Sequence, residues 1–309
     1  MSRWTERDIP DQTGRTAVVT GANSGIGFHT ALELARAAAR VLVSSRDESK
    51  GEEAIRRIEA EVPQAEVELG VLDLADLGSV RRFADAFRDD HGSLDVLVNN
   101  AGVMAVPQRR TTADGFELQL GTNHLGHFAL TGLLLPALLA RAGSRVVTVS
   151  STAHRMGRMR FDDIQGERGY RPWRAYGQSK LANLLFAFEL DRLASSSELD
   201  LLSVAAHPGL AATNLQTAGP RLGSFDLSAR IGAGIVRPFR QPAERGALPS
   251  LYAATAPEVV GGSFYGPDGP GQARGYPTLV APSRRALEEE PARRLWEVSE
   301  ELTGVDFDL

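Results

Sequence analysis

Short apolar runs rich in β-branched residues alternate with longer amphipathic stretches through the first two-thirds of the chain. Strands that alternate with helices are typical of βαβ units and of a parallel sheet covered by helices on both faces. The predicted strands cover 16–20, 41–45, 67–72, 96–98, 145–149 and 201–205. The predicted helices cover 25–36, 48–60, 79–89, 115–140 and 175–194. This alternation predicts an α/β fold built on a doubly wound parallel sheet.

The chain changes character after Pro208, where Gly, Pro and Arg interrupt the sequence as far as Pro242. Composition alone allows either a lid or an irregular surface connection here, and our fold prediction takes it as a small substrate lid after the sixth strand. A helix at 243–254, a strand at 263–265 and a charged helix at 291–302 are predicted to follow. Because no linker is long enough to separate two domains, we expect one domain over residues 14–304, preceded by a tail over 1–13.

Composition excludes several classes of chemistry. The 309 residues include no cysteine, so disulfides, thiolate metal sites and cysteine nucleophiles are excluded. A net charge of −5 gives no reason to expect a nucleic-acid partner. The N-terminus lacks an apolar signal region, and the longest apolar run, near 130–140, is too short to span a bilayer. We therefore expect a cytoplasmic protein with no membrane anchor.

A glycine-rich turn joins the first predicted strand to the first helix. Its sequence, Gly21-Ala22-Asn23-Ser24-Gly25-Ile26-Gly27, spaces the glycines as G-x3-G-x-G. Such a turn lets the backbone approach a pyrophosphate, while the helix N-terminus offers free N–H groups and a positive dipole end. Glycine also serves turns for steric reasons alone. The turn therefore indicates a dinucleotide site only in combination with other residues.

The end of the second strand indicates which dinucleotide would bind. NAD-binding sites commonly place an acid here to hold the ribose hydroxyls, whereas this chain has Arg46. Arginine pairs with a 2′-phosphate and stacks on adenine, which favours NADP over NAD. Asp47 follows directly, and an exposed arginine without a ligand is the alternative interpretation.

Four polar residues are candidates for catalysis. Tyr176 and Lys180 are four positions apart and share one face of a predicted helix. An ammonium beside a phenol is expected to lower the phenol pKa towards neutrality, although such a pair is also common on protein surfaces. Ser151 follows the end of a predicted strand, where ligands bind in open α/β sheets, and Asn123 lies in a predicted helix.

Taken together, these motifs resemble the short-chain dehydrogenase/reductase family. The matching segments are TGANSGIG at 20–27, Asp73-Leu74, NNAG at 99–102, Asn123, Ser151, Tyr176-Gly-Gln-Ser-Lys180 and His207-Pro-Gly209. The phrases TNHLGHFALT, SSTAH, AYGQSKLANLLF and ARRLWEVSEELTG are similar to the retinol dehydrogenase-like and WW-domain oxidoreductase-like group. The resemblance spans roughly residues 14–304 and implies a Rossmann fold.

The resemblance also implies roles for these residues. Tyr176 would exchange a proton with the substrate oxygen while Ser151 hydrogen-bonds that oxygen. Lys180 would hold the nicotinamide ribose and tune Tyr176, and Asn123 would position Lys180. With Tyr176 and Lys180, the implied cofactor-binding residues are Gly21, Asn23, Ser24, Gly25, Ile26, Gly27, Arg46, Asp73, Leu74, Asn100, Ala101, Gly102, Pro208, Gly209 and Thr213. No metal is expected.

The leading hypothesis is an NADP-dependent oxidoreductase that interconverts an alcohol and a carbonyl on a small molecule. Apolar residues within 210–242 suggest either an apolar substrate or a packed helix pair. The alternative is a catalytically silent dinucleotide-binding regulatory or scaffold protein, although such a protein has no need of all four candidate residues. The arginine-rich segment 152–175 is interpreted as a solvated basic loop rather than a substrate entrance, and the histidines as packing or surface residues. Substrate identity, reaction direction and oligomeric state stay open, a homo-oligomer among the options.

Overall fold

The computed structural model describes residues 3–211 and 241–309, which form a three-layer α/β structure. Its eight strands are β1 Thr16–Thr20, β2 Arg40–Ser45, β3 Val67–Val71, β4 Val96–Asn99, β5 Ser144–Val149, β6 Leu201–Ala206, β7 Phe264–Pro267 and β8 Pro277–Leu279. Its longer helices are α1 Gly25–Arg36, α2 Glu48–Glu61, α3 Leu77–His91, α4 Gly126–Leu139, α5 Pro172–Ser196, α6 Ala243–Thr255 and α7 Glu289–Thr303.

The strands form one sheet in the order β3-β2-β1-β4-β5-β6-β7-β8. All neighbours pair in parallel except β7 and β8, and Val18 of β1 lies opposite Leu42 of β2 and Leu97 of β4. The strand order reverses between β1 and β4, so the connections diverge there and leave a crevice at the carboxyl edge. The predicted doubly wound parallel sheet, a Rossmann fold, is confirmed.

A hydrophobic core lies on each face of the sheet, and alternating side chains of the buried strands contribute to both cores. Ala17 and Val19 face the layer that contains α1, α2 and α6, whereas Val18 faces the layer that contains α3, α4 and α5. Successive residues of a strand point to opposite faces, so one apolar run serves both layers. The cores hold the sheet between the helices and fix the positions of its carboxyl ends.

Two elements differ from the prediction. The sequence pattern did not predict β8, a three-residue edge strand that begins with a proline and is largely exposed, because an edge strand needs neither a full apolar run nor every N–H group. The helix predicted over 115–140 is interrupted: a helical turn at Leu118–Leu120 leads into a π-helical segment, Gly121–Leu125, and then into α4. The π-helical segment holds Asn123, and such widened turns are frequent at functional sites.

The two ends of the chain section between β6 and α6 meet beside the sheet. Ala211 and Gln241 form an isolated parallel bridge, and the Gln241 amide donates a hydrogen bond to the carbonyl oxygen of Pro208 at 2.8 Å. The predicted lid and Thr213 fall within residues 212–240, which lie outside the described residues. At the N-terminus, Trp4 packs edge-on against Tyr252 of α6 with ring centroids 5.2 Å apart. The domain limits, 14–304, stay a prediction.

Within residues 3–211 and 241–309, no helix has the length and apolar character needed to cross a lipid bilayer.

Candidate active site

The crevice between β1 and β4 is lined by backbone that leaves no room for larger side chains. Gly21 has φ +65°, a left-handed conformation that favours glycine, and a Cβ on it would lie 3.0 Å from the Cβ of Ala101. A Cβ on Gly27 would lie 2.5 Å from both Asn100 Nδ2 and the Gly21 carbonyl oxygen. The glycine turn and the start of α1 are therefore in close contact with the turn after β4, as a site for a pyrophosphate requires.

The remainder of the glycine turn also faces this edge of the sheet. Ser24 is the N-cap residue of α1, and Gly25, with φ +59°, begins the helix. Ile26 and Ala211 both lie next to Gly246: a Cβ on Gly246 would be 3.2 Å from Ile26 and 2.7 Å from Ala211. The start of α1 therefore meets the chain that leaves β6 through Pro208 and Gly209, and Gly209 has φ +63°.

At the end of β2, Arg46 and Asp47 differ in their surroundings. Arg46 is exposed and makes no hydrogen bond or ion pair with the described part of the chain. Asp47 is the N-cap residue of α2, where its carboxylate accepts the Lys50 backbone N–H and pairs with the Lys50 ammonium at 2.5 Å. These hydrogen bonds, together with one from Ser49, lower the pKa of Asp47 to about 2. Asp47 is thus engaged by its own helix, and Arg46 is available to a ligand.

Asp73 and Leu74 follow β3 on the same side of the crevice. The Asp73 carboxylate accepts the Ala75 backbone N–H at 2.9 Å and so closes a local turn. Leu74 is buried, and its carbonyl oxygen lies so close to Gly126 that a Cβ there would come within 2.4 Å. The chain after β3 is therefore packed against the start of α4.

Asn123 is fully buried in the π-helical segment and joins two parts of the site. Its side chain accepts the Val103 backbone N–H at 2.8 Å and donates to the Val103 carbonyl oxygen at 2.9 Å. The same amide donates to Ser179 Oγ at 2.9 Å, one residue before Lys180. A Cβ on Gly102 would lie 3.0 Å from Asn123 Oδ1 and 3.7 Å from Lys180 Nζ. The structure therefore brings Asn123, Gly102 and Lys180 together.

Lys180 is buried beneath the site. Its ammonium donates to the carbonyl oxygen of Val149, the last residue of β5, at 2.9 Å, and the serine pair 150–151 follows directly. Ser150 Oγ donates to the Lys180 carbonyl oxygen at 2.7 Å, which ties this part of α5 to the end of β5. Burial lowers the pKa of Lys180 to about 8.

Tyr176 and Ser151 complete the group, but their electrostatics differ from the expectation. Burial raises the pKa of Tyr176 to about 12, and a hydrogen bond with Ser151 offsets only part of that rise. The Tyr176 pKa is therefore raised, contrary to the expectation that Lys180 lowers it towards neutrality. The reason is that desolvation of the phenolate outweighs the favourable interactions around it.

His127 is buried, in agreement with the interpretation of the histidines as packing or surface residues, and it bridges two functional segments. Its Nδ1 lies 3.0 Å from the Asn123 carbonyl oxygen, and its Nε2 lies 2.9 Å from Thr20 Oγ1. A carbonyl only accepts, so the proton is on Nδ1 and Nε2 accepts from Thr20. Thr20 Oγ1 in turn accepts the backbone N–H groups of Asn100 and Ala101. His127 thus links Asn123 to the turn that lines the crevice.

His154 is a second buried histidine near the site. Its Nδ1 donates to the Ser151 carbonyl oxygen at 2.6 Å, and its Nε2 accepts the Ser283 backbone N–H at 3.1 Å. This residue joins the turn that begins at Ser151 to the chain before α7. No spacing rule distinguishes such histidines from ordinary core residues, because each joins a nearby backbone carbonyl to a group more than 100 residues away in the sequence.

The arginine-rich segment 152–175 has an ordered structure with an exposed basic surface. Two short 3₁₀ helices, Thr152–Met156 and Phe161–Asp163, fold it back along the first turns of α5. Asp163 accepts the backbone N–H groups of Glu167 and Arg168. The arginines exposed on this segment are Arg155, Arg158, Arg168, Arg171 and Arg174.

Comparison with known proteins agrees with this architecture. The family model for short chain dehydrogenases matches residues 15–220. Human retinol dehydrogenase 13 is 43% identical over 296 residues, which cover 95% of this chain and 86% of that protein. Mouse polyprenol dehydrogenase is 43% identical over 302 residues, and the match covers 96% of this chain and 86% of that protein. The chain belongs to the short-chain dehydrogenase/reductase family and is an oxidoreductase enzyme of that family.

Solved structures show the same fold. The crystal structure of an uncharacterised protein from Mycobacterium paratuberculosis is 45% identical, covers 100% of both chains and superposes with a TM-score of 0.82. The Pseudomonas aeruginosa RhlG/NADP active-site complex is 25% identical, covers 82% of this chain and 94% of that chain, and has a TM-score of 0.63. That neighbour was solved as a complex with NADP.

Proposed function

We propose that the protein interconverts an alcohol and a carbonyl on an apolar small molecule, with NADP as cofactor and Tyr176 as acid and base. The main support is that Asn123, Ser151, Tyr176 and Lys180 lie close together at the carboxyl edge of the sheet. They lie beside a crevice whose lining has room only for glycine at positions 21 and 27. A bound NADPH supplies the hydride in such a reaction. Side chains of the protein carry out the proton transfer and the positioning.

Tyr176 acts on the substrate oxygen. With a pKa of about 12 it is protonated at neutral pH, so in the direction of carbonyl reduction its phenol donates the proton that the nascent alkoxide needs. Ser151, which interacts with that phenol, donates a hydrogen bond to the same oxygen. Tyr176 is buried on α5, and Ser151 Oγ accepts the Ala153 backbone N–H, so both groups start from ordered positions and little reorganisation is needed when charge develops.

Lys180 and Asn123 act next to this pair. The Lys180 ammonium lies near Gly102, where it would bind the ribose hydroxyls of the cofactor and would stabilise the phenolate that remains after proton transfer. Asn123 keeps Gly102 and the Lys180 turn of α5 at a fixed separation through its contacts with Val103 and Ser179. Loss of that separation would misplace two reacting groups at once.

A preference for NADP is supported by the unequal positions of Arg46 and Asp47. The free guanidinium of Arg46 suits a 2′-phosphate, whereas the Asp47 carboxylate is engaged by Lys50. Substituting Arg46→Ala is expected to weaken NADPH binding about 10-fold or more, which corresponds to about 1.4 kcal/mol, and to leave NADH binding nearly unchanged. Calorimetric titration of both cofactors tests this, and an equal loss for both would argue against the assignment.

An apolar substrate is supported by the relatives. The two enzymes described above are named for retinol and polyprenol, which are both long apolar alcohols. We infer that this chain acts on a molecule of that general class, without choosing among its members.

The proposal is tested by NADPH oxidation with a panel of apolar aldehydes and ketones, comparing the wild type with Tyr176→Phe. Wild-type turnover that falls at least 1000-fold in the variant is expected, because the proton donor is removed while the binding surface stays. Tight NADPH binding without wild-type turnover across the panel would instead favour a silent dinucleotide-binding protein.

A further inference from the structure

A buried amide outside the four candidate residues connects the same two walls of the site. Gln119, on the helical turn that precedes the π-helical segment, has no solvent exposure. Its Oε1 accepts the Ala105 backbone N–H at 2.7 Å, and its Nε2 donates to Tyr170 Oη at 2.9 Å and to the Pro172 carbonyl oxygen at 3.1 Å. Both donors and the acceptor of this amide are therefore used.

Tyr170 extends the connection back to the first wall. Its hydroxyl, which accepts from Gln119, donates to the Val106 carbonyl oxygen at 2.6 Å. The loop after β4 is therefore bonded at residues 105 and 106 to Gln119 and Tyr170, just beyond Val103, which Asn123 holds. The network stabilises an unusual backbone there, because Ala105 has φ +49°, a left-handed conformation that is unfavourable for a residue other than glycine.

Gln119 and Asn123 make the same kind of connection between the loop after β4 and α5, at two different places along α5. They are four residues apart, and each bonds the loop after β4 on one side and α5 on the other. Asn123 reaches α5 at Ser179, whereas Gln119 reaches it at Pro172, its first residue. Tyr176 lies on α5 between these two points. Its position relative to Gly102 is therefore fixed from both ends.

We infer that Gln119 and Tyr170 are positioning residues that set the distance between the Tyr176 phenol and the cofactor-facing loop after β4. This inference rests on the proposed function, since it names what holds the proton donor in place. Neither residue belongs to the motifs from which the site was predicted. Their effect should appear in the rate of the chemical step rather than in cofactor binding, because the glycine turn and Arg46 do not touch the network.

The test compares Tyr170→Phe and Gln119→Met with the matched control Tyr252→Phe. Tyr252 also donates its phenol hydrogen, to Glu258 Oε1 at 2.7 Å, but from α6 on the other layer of the fold. We expect kcat to fall about 10-fold or more in Tyr170→Phe and further in Gln119→Met, because small displacements of reacting groups slow chemistry steeply. NADPH should still bind one per chain with a Kd within about twofold of wild type. Tyr252→Phe should change neither quantity.

One further measurement separates the possible failures. Amide hydrogen exchange of residues 103–106 should speed up in Tyr170→Phe and stay unchanged in Tyr252→Phe. If the wild type shows no turnover, the proposed function fails, while the exchange comparison still decides whether the network holds the loop. The inference would be overturned if Tyr170→Phe had the same kcat as the wild type. It would also be overturned if the loss of kcat were explained wholly by a smaller fraction of chains that bind NADPH.

Discussion

Replacement of Gly27 by alanine tests the crevice most sharply. The added Cβ would lie 2.5 Å from the Gly21 carbonyl oxygen and 2.5 Å from Asn100 Nδ2, about 1 Å closer than ordinary contact. Neither neighbour moves freely, because one is backbone and the other donates to the Thr20 carbonyl oxygen at 2.7 Å. The start of α1 must therefore move away from the turn after β4, and overpacking of this kind costs about 1–3 kcal/mol.

The displacement should weaken cofactor binding because the N–H groups at the start of α1 would no longer face the pyrophosphate correctly. We expect the Kd for NADPH to rise at least 10-fold, about 1.4 kcal/mol, and the thermal midpoint to fall. The matched control is Gly169→Ala, where a Cβ meets no atom within 4 Å. Fluorescence titration with NADPH and thermal unfolding measure both effects. A Gly27→Ala protein that binds NADPH as tightly as the control would refute the reasoning about this crevice.

Two pH dependences follow from the buried cations and histidines. Lys180, with a pKa of about 8, loses its charge as pH rises, so the Kd for NADPH should increase several-fold between pH 7 and 9, and Lys180→Met should flatten that increase. Burial, helped by the nearby Lys180 charge, lowers the pKa of His127 to about 4 from an ordinary 6.5. Below pH 6.5 the unfolded chain therefore binds more protons than the folded one, and the unfolding free energy should fall as pH drops towards 4, by about 2 kcal/mol at pH 5 from this residue. Urea unfolding at pH 7, 6 and 5 checks this, and a slope no steeper in wild type than in His127→Gln would contradict it.

Most of the fold was predictable because periodicity and the glycine turn are local signals. The bounds of β1 and α1 agree with the prediction, and the other predicted strands and helices differ by a few residues at their ends. The interrupted helix around Asn123 was not predictable, since a π-helical widening leaves the apolar pattern of 115–140 intact. The edge strand β8 was missed because it has no apolar run.

The four candidate catalytic residues lie close together in the described structure, but the sequence did not reveal what holds them. Tyr176, Lys180, Ser151 and Asn123 were identified as a group because they match, in order, the motifs by which the chain resembles the short-chain dehydrogenase/reductase family. Gln119, Tyr170 and His127 each have at least one partner 14 to 107 residues away, which no local pattern encodes. The raised pKa of Tyr176 likewise depends on burial, a property of the tertiary structure rather than of the Tyr-x-x-x-Lys spacing.

The transfer of hydride to a carbonyl carbon can be measured directly with NADPH deuterated at nicotinamide C4. The enzyme is incubated with each C4-deuterated form and an apolar aldehyde, and the alcohol is analysed by mass spectrometry. The proposed function predicts that one of the two labelled forms gives an alcohol with a single deuterium on the carbinol carbon, and that Tyr176→Phe forms almost none of it. Cofactor binding without labelled alcohol from either form, across the full aldehyde panel, would contradict the proposed function.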